Sequence, residues 1–266
     1  MKTTLSVALF LVVTSCSQPS FLQSDAVALS QPVIEVDDYF FTEGTQIQVS
    51  KTLGTSRVHY TTDGTIPTPQ SPIAATDIQV NKSQTLTFSA FGGGFLPSEP
   101  VEVEVLKLPA QRLSLLSATP ASSPYDQVPE TALTDRAKAG KNFRETDWLG
   151  YQDSLLIFEF SLPDGPINGI AVSVLEDQSS WIFAPSAVKA TFYDSAGDEI
   201  VTSQVDYPTE VEKSGSHFRF LRVITKEIRA ARVRVEVVCL SRIPDWHPGA
   251  GKLGWVFLDE VVGGVR

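Results

Sequence analysis

Period-two alternation, repeated in short runs that turn residues interrupt, constrains this chain more than any other feature. Val101-Glu102-Val103-Glu104-Val105 is the clearest run, apolar at every second position. Successive strand side chains point to opposite faces, so such a run has one buried and one wet face. Gln46-Ile47-Gln48-Val49-Ser50, Val58-His59-Tyr60 and Leu86-Thr87-Phe88-Ser89-Ala90 repeat the pattern. So do the stretches 188–193, 218–223 and 231–237, the last two with arginines at the outward positions. Leu155 to Phe160 and Ile170 to Leu175 are nearly continuous apolar runs, as for strands buried on both faces, and Val256-Phe257-Leu258 closes the series. Helical periodicity is nowhere strong. The expected fold class is all-β, built from sandwiches.

The 266 residues suit one large or two modest domains. A formal charge of −10 argues against a nucleic-acid binder, which needs a basic footprint for phosphates. The two cysteines, Cys16 and Cys239, offer no obvious disulfide pair in a mature chain, and there is no CxxC or zinc-spaced His/Cys cluster.

At the start, one lysine precedes an apolar run from Leu5 to Val13 that is too short to span a bilayer. Val13-Thr14-Ser15-Cys16 resembles the bacterial lipobox. The resemblance implies a signal peptide over 1–15, lipidation of Cys16 and a location in the cell envelope, with Ser17 consistent with the outer membrane. Losing Lys2 would take the charge from −10 to −11. The polar, small-residue stretch that follows reads as a tether over 16–31.

Residues 32–108 form the first expected domain. Phe41-Thr42-Glu43-Gly44-Thr45, the run Tyr60-Thr61-Thr62-Asp63-Gly64-Thr65-Ile66-Pro67-Thr68, and Phe88-Ser89-Ala90-Phe91 carry a resemblance to the chitobiase/β-hexosaminidase C-terminal-type domain. This implies a small immunoglobulin- or fibronectin-like accessory sandwich. The residues agree with a structural role, because Asp-Gly makes a tight turn and neighbouring threonines bond locally to backbone.

A Ser-, Ala- and Pro-rich stretch suggests a linker over 109–130. Beyond it, Trp148-Leu149-Gly150, the stretch 176–185, Asp194-Ser195, Ala231 to Val235 and the stretch 244–260 resemble the discoidin or coagulation-factor type C family. That implies a galactose-binding-like jelly roll over 131–266. The order of the two domains resembles the C-terminal accessory region of bacterial family-20 β-N-acetylhexosaminidases. The catalytic barrel of those enzymes takes about 250 residues of alternating strand and helix. Here only signal and tether precede the first sandwich, so the expected product is an accessory module and not an enzyme.

Jelly rolls of this kind hold sugars in loops at one end. An aromatic stacks on the apolar face of the sugar ring, and polar groups take its hydroxyls. The loop candidates are Asp177, Gln178, Trp181, Asp245, Trp246 and His247, whereas Trp148 and Trp255 are expected in the core. The family resemblance also implies a structural calcium between an early Leu-x-Asp turn and a late glutamate. Leu133-Thr134-Asp135 and Glu260 match those elements, but Arg136 stands where the family commonly has Gly, placed to displace the ion or to pair with Glu260. Asp259 and Glu260 are expected on opposite faces of a strand, which is wrong for a glycosidase pair. The leading functional expectation is a non-catalytic carbohydrate-binding lipoprotein that recognises amino-sugar glycans. The alternative is a structural or protein-interaction subunit of an envelope complex.

Overall fold

The computed structural model describes residues 27–265, apart from residues 52, 145–146, 208–214 and 241. The expected signal peptide, the lipidation site Cys16 and the first part of the tether lie outside the described residues. Among the described residues no helix is long and apolar enough to cross a membrane.

The chain is all-β, a small sandwich followed by a larger one. The first contains β1 (Val33–Val36), β2 (Phe40–Phe41), β3 (Thr45–Ser50), β4 (Arg57–Thr61), β5 (Asp77–Val80), β6 (Gln84–Phe91) and β7 (Val101–Lys107). Its two sheets run in the orders β1-β3-β5 and β2-β7-β6-β4. The alternation in the sequence dictates the core. Ile47 and Val49 of β3 meet Leu86 and Phe88 of β6 and Val103 and Val105 of β7, while the intervening residues of β3 and β7 turn outward. The Asp-Gly turn has the expected structural role. Asp63 Oδ1 accepts from Thr65 N at 3.1 Å and from Thr65 Oγ1 at 2.6 Å, and Gly64 takes φ +80°. The end of the expected tether belongs to this sandwich: Leu96 N donates to Val27 O, Leu29 N donates to Leu96 O, and Leu29 is buried.

The second sandwich contains β8 (Ser114–Ala118), β9 (Leu149–Tyr151), β10 (Leu155–Ser161), β11 (Pro166–Glu176), β12 (Ala187–Tyr193), β13 (Glu199–Asp206), β14 (His217–Arg229), β15 (Arg232–Val238) and β16 (Val256–Gly263). One sheet has the order β13-β12-β15-β10-β8 and the other β14-β11-β16-β9. The core between them takes Phe158 and Phe160, Val172 and Val174, Val188 and Ala190, and Val233, Val235 and Val237. Part of the expected linker is therefore a strand. β8 lies inside 109–130 yet pairs with β10, with Leu115 against the core. Its serines face water on an edge, so composition alone reads as a connector.

Of the two runs expected to be buried on both faces, one differs from expectation and the other matches it. The run in β10 alternates after all, with Leu155 41% exposed. β11 is buried on both faces over Ile170 to Glu176, because something covers its outer side. That cover is the first sandwich over the early part of the strand. Ala171, Phe220 and Val262 pack on Phe40, Leu106 and Leu108, and Phe220 meets Phe40 with ring centroids 5.2 Å apart. Tyr39 meets Phe218 edge-on at 5.9 Å, and the Arg222 guanidinium pairs with Glu104. The two sandwiches thus share a small apolar core rimmed by an ion pair, which holds their relative orientation far better than a polar contact would.

Candidate functional site

The loops after β11 and before β16 converge at one end of the second sandwich. Asp177 opens a one-turn 3-10 helix, Gln178–Ser180, and Trp181 closes it in the left-handed region at φ 67°. Trp181 and Arg136 are the non-glycine residues with positive φ among those described. Such a backbone is sparsely populated for a bulky residue and persists where surrounding contacts over-determine it.

Those contacts come from His247. Gly249 N donates to its Nδ1 at 3.0 Å, so the ring proton sits on Nε2, which donates to Gln178 O at 2.9 Å. Three rings meet this imidazole edge-on: Trp181 at 6.0 Å, Phe183 at 5.3 Å and Trp246 at 5.6 Å. A Cβ at Gly249 would lie 3.1 Å from the Trp181 ring, so a side chain there would require the indole to give by a few tenths of an ångström. The ammonium of Lys252 hangs 4.9 Å over the other part of this cluster, the Trp181 ring.

The structure brings the expected loop residues together but divides them by role. His247 is buried, and both ring nitrogens are used inside the loop. Gln178 is 2% exposed and donates to Glu176 Oε1 at 3.0 Å. Asp177 is saturated by its own turn: Oδ1 accepts from Ser179 Oγ and Ser180 N, and Oδ2 from Ser180 Oγ and Ser216 Oγ. Partial burial pushes its carboxyl up, yet the hydrogen bonds from Ser179, Ser216 and Ser180 outweigh that and hold it below the ordinary carboxylate range. These three residues brace the loop through these bonds. Trp246, at 42% exposure, and Asp245 stand in solvent, and Trp181 is half-buried beside them. Sequence reasoning missed Lys252 and the exposed Leu253, which follow in the same turn; their nearness to Trp255 was the available signal. Trp148 is in the core as expected, its indole N–H donating to Gly140 O at 2.8 Å, and Trp255 packs partly buried against the same cluster.

The two carboxylates in the middle of β16 also differ from expectation. Leu258 and Val261 both face the sandwich core, although three positions apart they should alternate. A β-bulge explains this: Ser173 pairs with Glu260 and Val174 with Leu258, which leaves Asp259 as the extra residue. Asp259 and Glu260 consequently both reach the turn at 135–139 instead of opposite faces. Asp259 Oδ2 pairs with Lys138 Nζ at 2.7 Å and accepts from Ala139 N at 2.9 Å. Glu260 Oε2 accepts from Arg136 N at 2.6 Å, and burial pushes its carboxyl up to about 9. At 3% and 1% exposure neither can flank a substrate bond.

The same turn tests the expected calcium. Asp135 Oδ1 is taken by Ala137 N at 2.7 Å, and its carbonyl by the Arg112 guanidinium at 2.6 Å. The Arg136 guanidinium does not pair with Glu260; it donates to Pro109 O at 2.8 Å and Gln111 O at 2.7 Å. Calcium needs six to eight oxygens, about that many free at once. Here Asp135 and Glu260 cap successive N–H groups of one turn, and Lys138 supplies the counter-charge. With those oxygens occupied, the turn as folded leaves Glu260 Oε1 without a hydrogen-bond partner, and no group of three ligating side chains gathers among the described residues.

Residues 38–102 match the model of the chitobiase/beta-hexosaminidase C-terminal domain. No curated protein sequence matches the chain. Among solved structures, a SusE-like protein superposes with TM-score 0.35 at 11% identity, covering 87% of this chain and 96% of that one. A Streptococcus pneumoniae fucose binding module gives TM-score 0.31 at 16% identity, covering 56% and 90% respectively. CBM32-3 from a family 31 glycoside hydrolase of Clostridium perfringens gives TM-score 0.33 at 12% identity, covering 58% and 91%.

Proposed function

We propose that this chain is a non-catalytic carbohydrate-binding module of the bacterial envelope, with Trp246 and Trp181 as its sugar platform. The observation that carries this is Trp246 itself. An exposed indole is held on a loop that is rigid beneath it, because the ring abuts a buried histidine bonded at both nitrogens. A pre-organised aromatic of this kind loses little entropy when an apolar ligand face stacks on it. Asp245 and Lys252 at its side offer an acceptor and a donor for hydroxyls. Asp259 and Glu260, the adjacent carboxylates of β16, are buried, which supports the non-catalytic reading.

Amino-sugar glycans are the ligand class this reading favours, from the domain matched over 38–102 and from the likeness to family-20 hexosaminidase accessory regions. The lipobox-like Val13-Thr14-Ser15-Cys16 supports attachment of Cys16 to the outer membrane by acyl chains. Glycan-array binding of the wild type, Trp246→Ala and Trp181→Ala tests the platform. Binding to at least one glycan that falls about tenfold or more in Trp246→Ala is expected, since a stacked aromatic contributes on the order of 1 kcal/mol or more beyond its buried area. An empty array, or undiminished binding in both variants, would remove the lectin reading in favour of an envelope protein partner.

A further inference from the structure

A second recess lies away from the tryptophan loop, at the seam between the sandwiches. It is a cleft of about 600 Å³, bounded on one side by Lys82, Ser83 and Lys107 and on the other by Asn168 and Glu227. Pro109, Pro166 and Gly264 line it further, and these three are shared with an adjoining recess of about 270 Å³. Cavities of this size suit one or two sugar rings.

The cleft is built, not incidental. Ser83 Oγ accepts from Lys107 N at 2.9 Å and donates to Lys107 O, which fixes the β5–β6 turn against the end of β7. That bracket sets Lys82 and Lys107 on one wall. Opposite, Gly264 N donates to Gly169 O at 3.0 Å, and Gly264 takes φ +76°. A Cβ at Gly264 would stand 2.8 Å from the Pro109 ring, so its absence lets the two segments close there. The apolar seam and the Arg136 bonds to Pro109 and Gln111 hold both walls in place before any ligand arrives.

The lining is net positive in a chain that is net acidic. The chain carries ten more acidic than basic residues, and Lys138, Lys189, Arg219, Arg222, Arg232 and Arg234 all pair with carboxylates. The ammonium groups of Lys82 and Lys107 make no ion pair or hydrogen bond among the described residues. Two lysines on one wall against the single carboxylate of Glu227 on the other leave the lining of this pre-formed cleft net positive, which favours an anion. The prolines present apolar surface to a sugar C–H face, and Asn168 lies where hydroxyls would need partners.

We propose that this interdomain cleft binds a carboxylate-bearing sugar of the uronic acid class, with Lys82 and Lys107 pairing its carboxylate. The anion chemistry stands on the cleft alone; its being a sugar rests on the carbohydrate-binding reading above. Calorimetric titration of the full chain with two hexasaccharides tests it, one alternating glucuronic acid with N-acetylglucosamine, the other N-acetylglucosamine only. Binding of the acidic hexamer is expected to weaken about tenfold in Lys82→Ala/Lys107→Ala, and to weaken again in wild type between 0.05 M and 0.5 M salt. Both lysines are exposed, so the variant keeps its fold, which circular dichroism checks. No binding of the acidic hexamer, or equal binding by wild type and double variant, overturns the proposal. The neutral hexamer with Trp246→Ala reports on the tryptophan platform separately, so failure at one site is not read as failure at the other.

Discussion

The Lys138–Asp259 pair is the point where a single change should cost most. Their side chains are 5% and 1% exposed, with 2.7 Å between Nζ and Oδ2. Lys138 also lies 3.7 Å from the Phe218 ring centroid and 4.4 Å from that of Trp148. Desolvation lowers the lysine and raises the aspartate, so each ion is tolerated only because the other is there. Lys138→Met keeps the aliphatic contact with both rings but leaves Asp259 with the Ala139 N–H as its one remaining strong donor. Stranding a buried ion in this way costs about 3–5 kcal/mol. For a domain of this size each kcal/mol moves Tm by about 2–4 °C, so the variant should melt between roughly 6 and 20 °C lower. Lys138→Met/Asp259→Leu removes both charges and should recover most of that loss, because replacing a buried pair by apolar groups is commonly neutral or better. Scanning calorimetry on the wild type, both single variants and the double variant closes the cycle. The reasoning fails if Lys138→Met melts within 2 °C of wild type, or if the double variant is less stable than either single one.

Two further outcomes follow from the same end of the second sandwich. Asp177 has a carboxyl held below its ordinary value of 3.8, so its contribution is fully present above that pH and is lost as pH falls through the lower, folded value. Urea denaturation should show Asp177→Asn on the order of 1 kcal/mol less stable than wild type at pH 6, with the gap narrowing toward pH 3; a constant gap would refute the role of its charge. Because Asp135 Oδ1, the Asp135 carbonyl and Glu260 Oε2 already accept hydrogen bonds in the turn, 5 mM calcium or excess chelator should move Tm by less than about 1 °C, whereas a calcium-dependent rise of several degrees would show that the turn opens to admit the ion.

The alternating runs determined the strands by themselves. β3, β6, β7, β12, β14 and β15 fall where period two puts them, since the pleat alone decides which side chains can reach a core. The turn at Asp63-Gly64 was equally local, because its hydrogen bonds span two residues. The two loops with the tryptophans were also legible, as aromatic residues among turn formers. What each loop residue does was not. Asp177, Gln178 and His247 offer polar groups in the sequence, and only folding shows them spent on one another, because β11 and the loop before β16 are brought together from 69 positions apart. β8 and the cover over β11 likewise depend on where the other sandwich or sheet lies, and composition carries no record of that. A one-residue bulge in β16 turned two carboxylates expected on opposite faces toward one turn, and no pattern in Leu258-Asp259-Glu260-Val261 announces it. Local periodicity is a property of the chain, but whether a polar group is free, braced or neutralised is a property of its neighbours, and those are chosen by long-range packing.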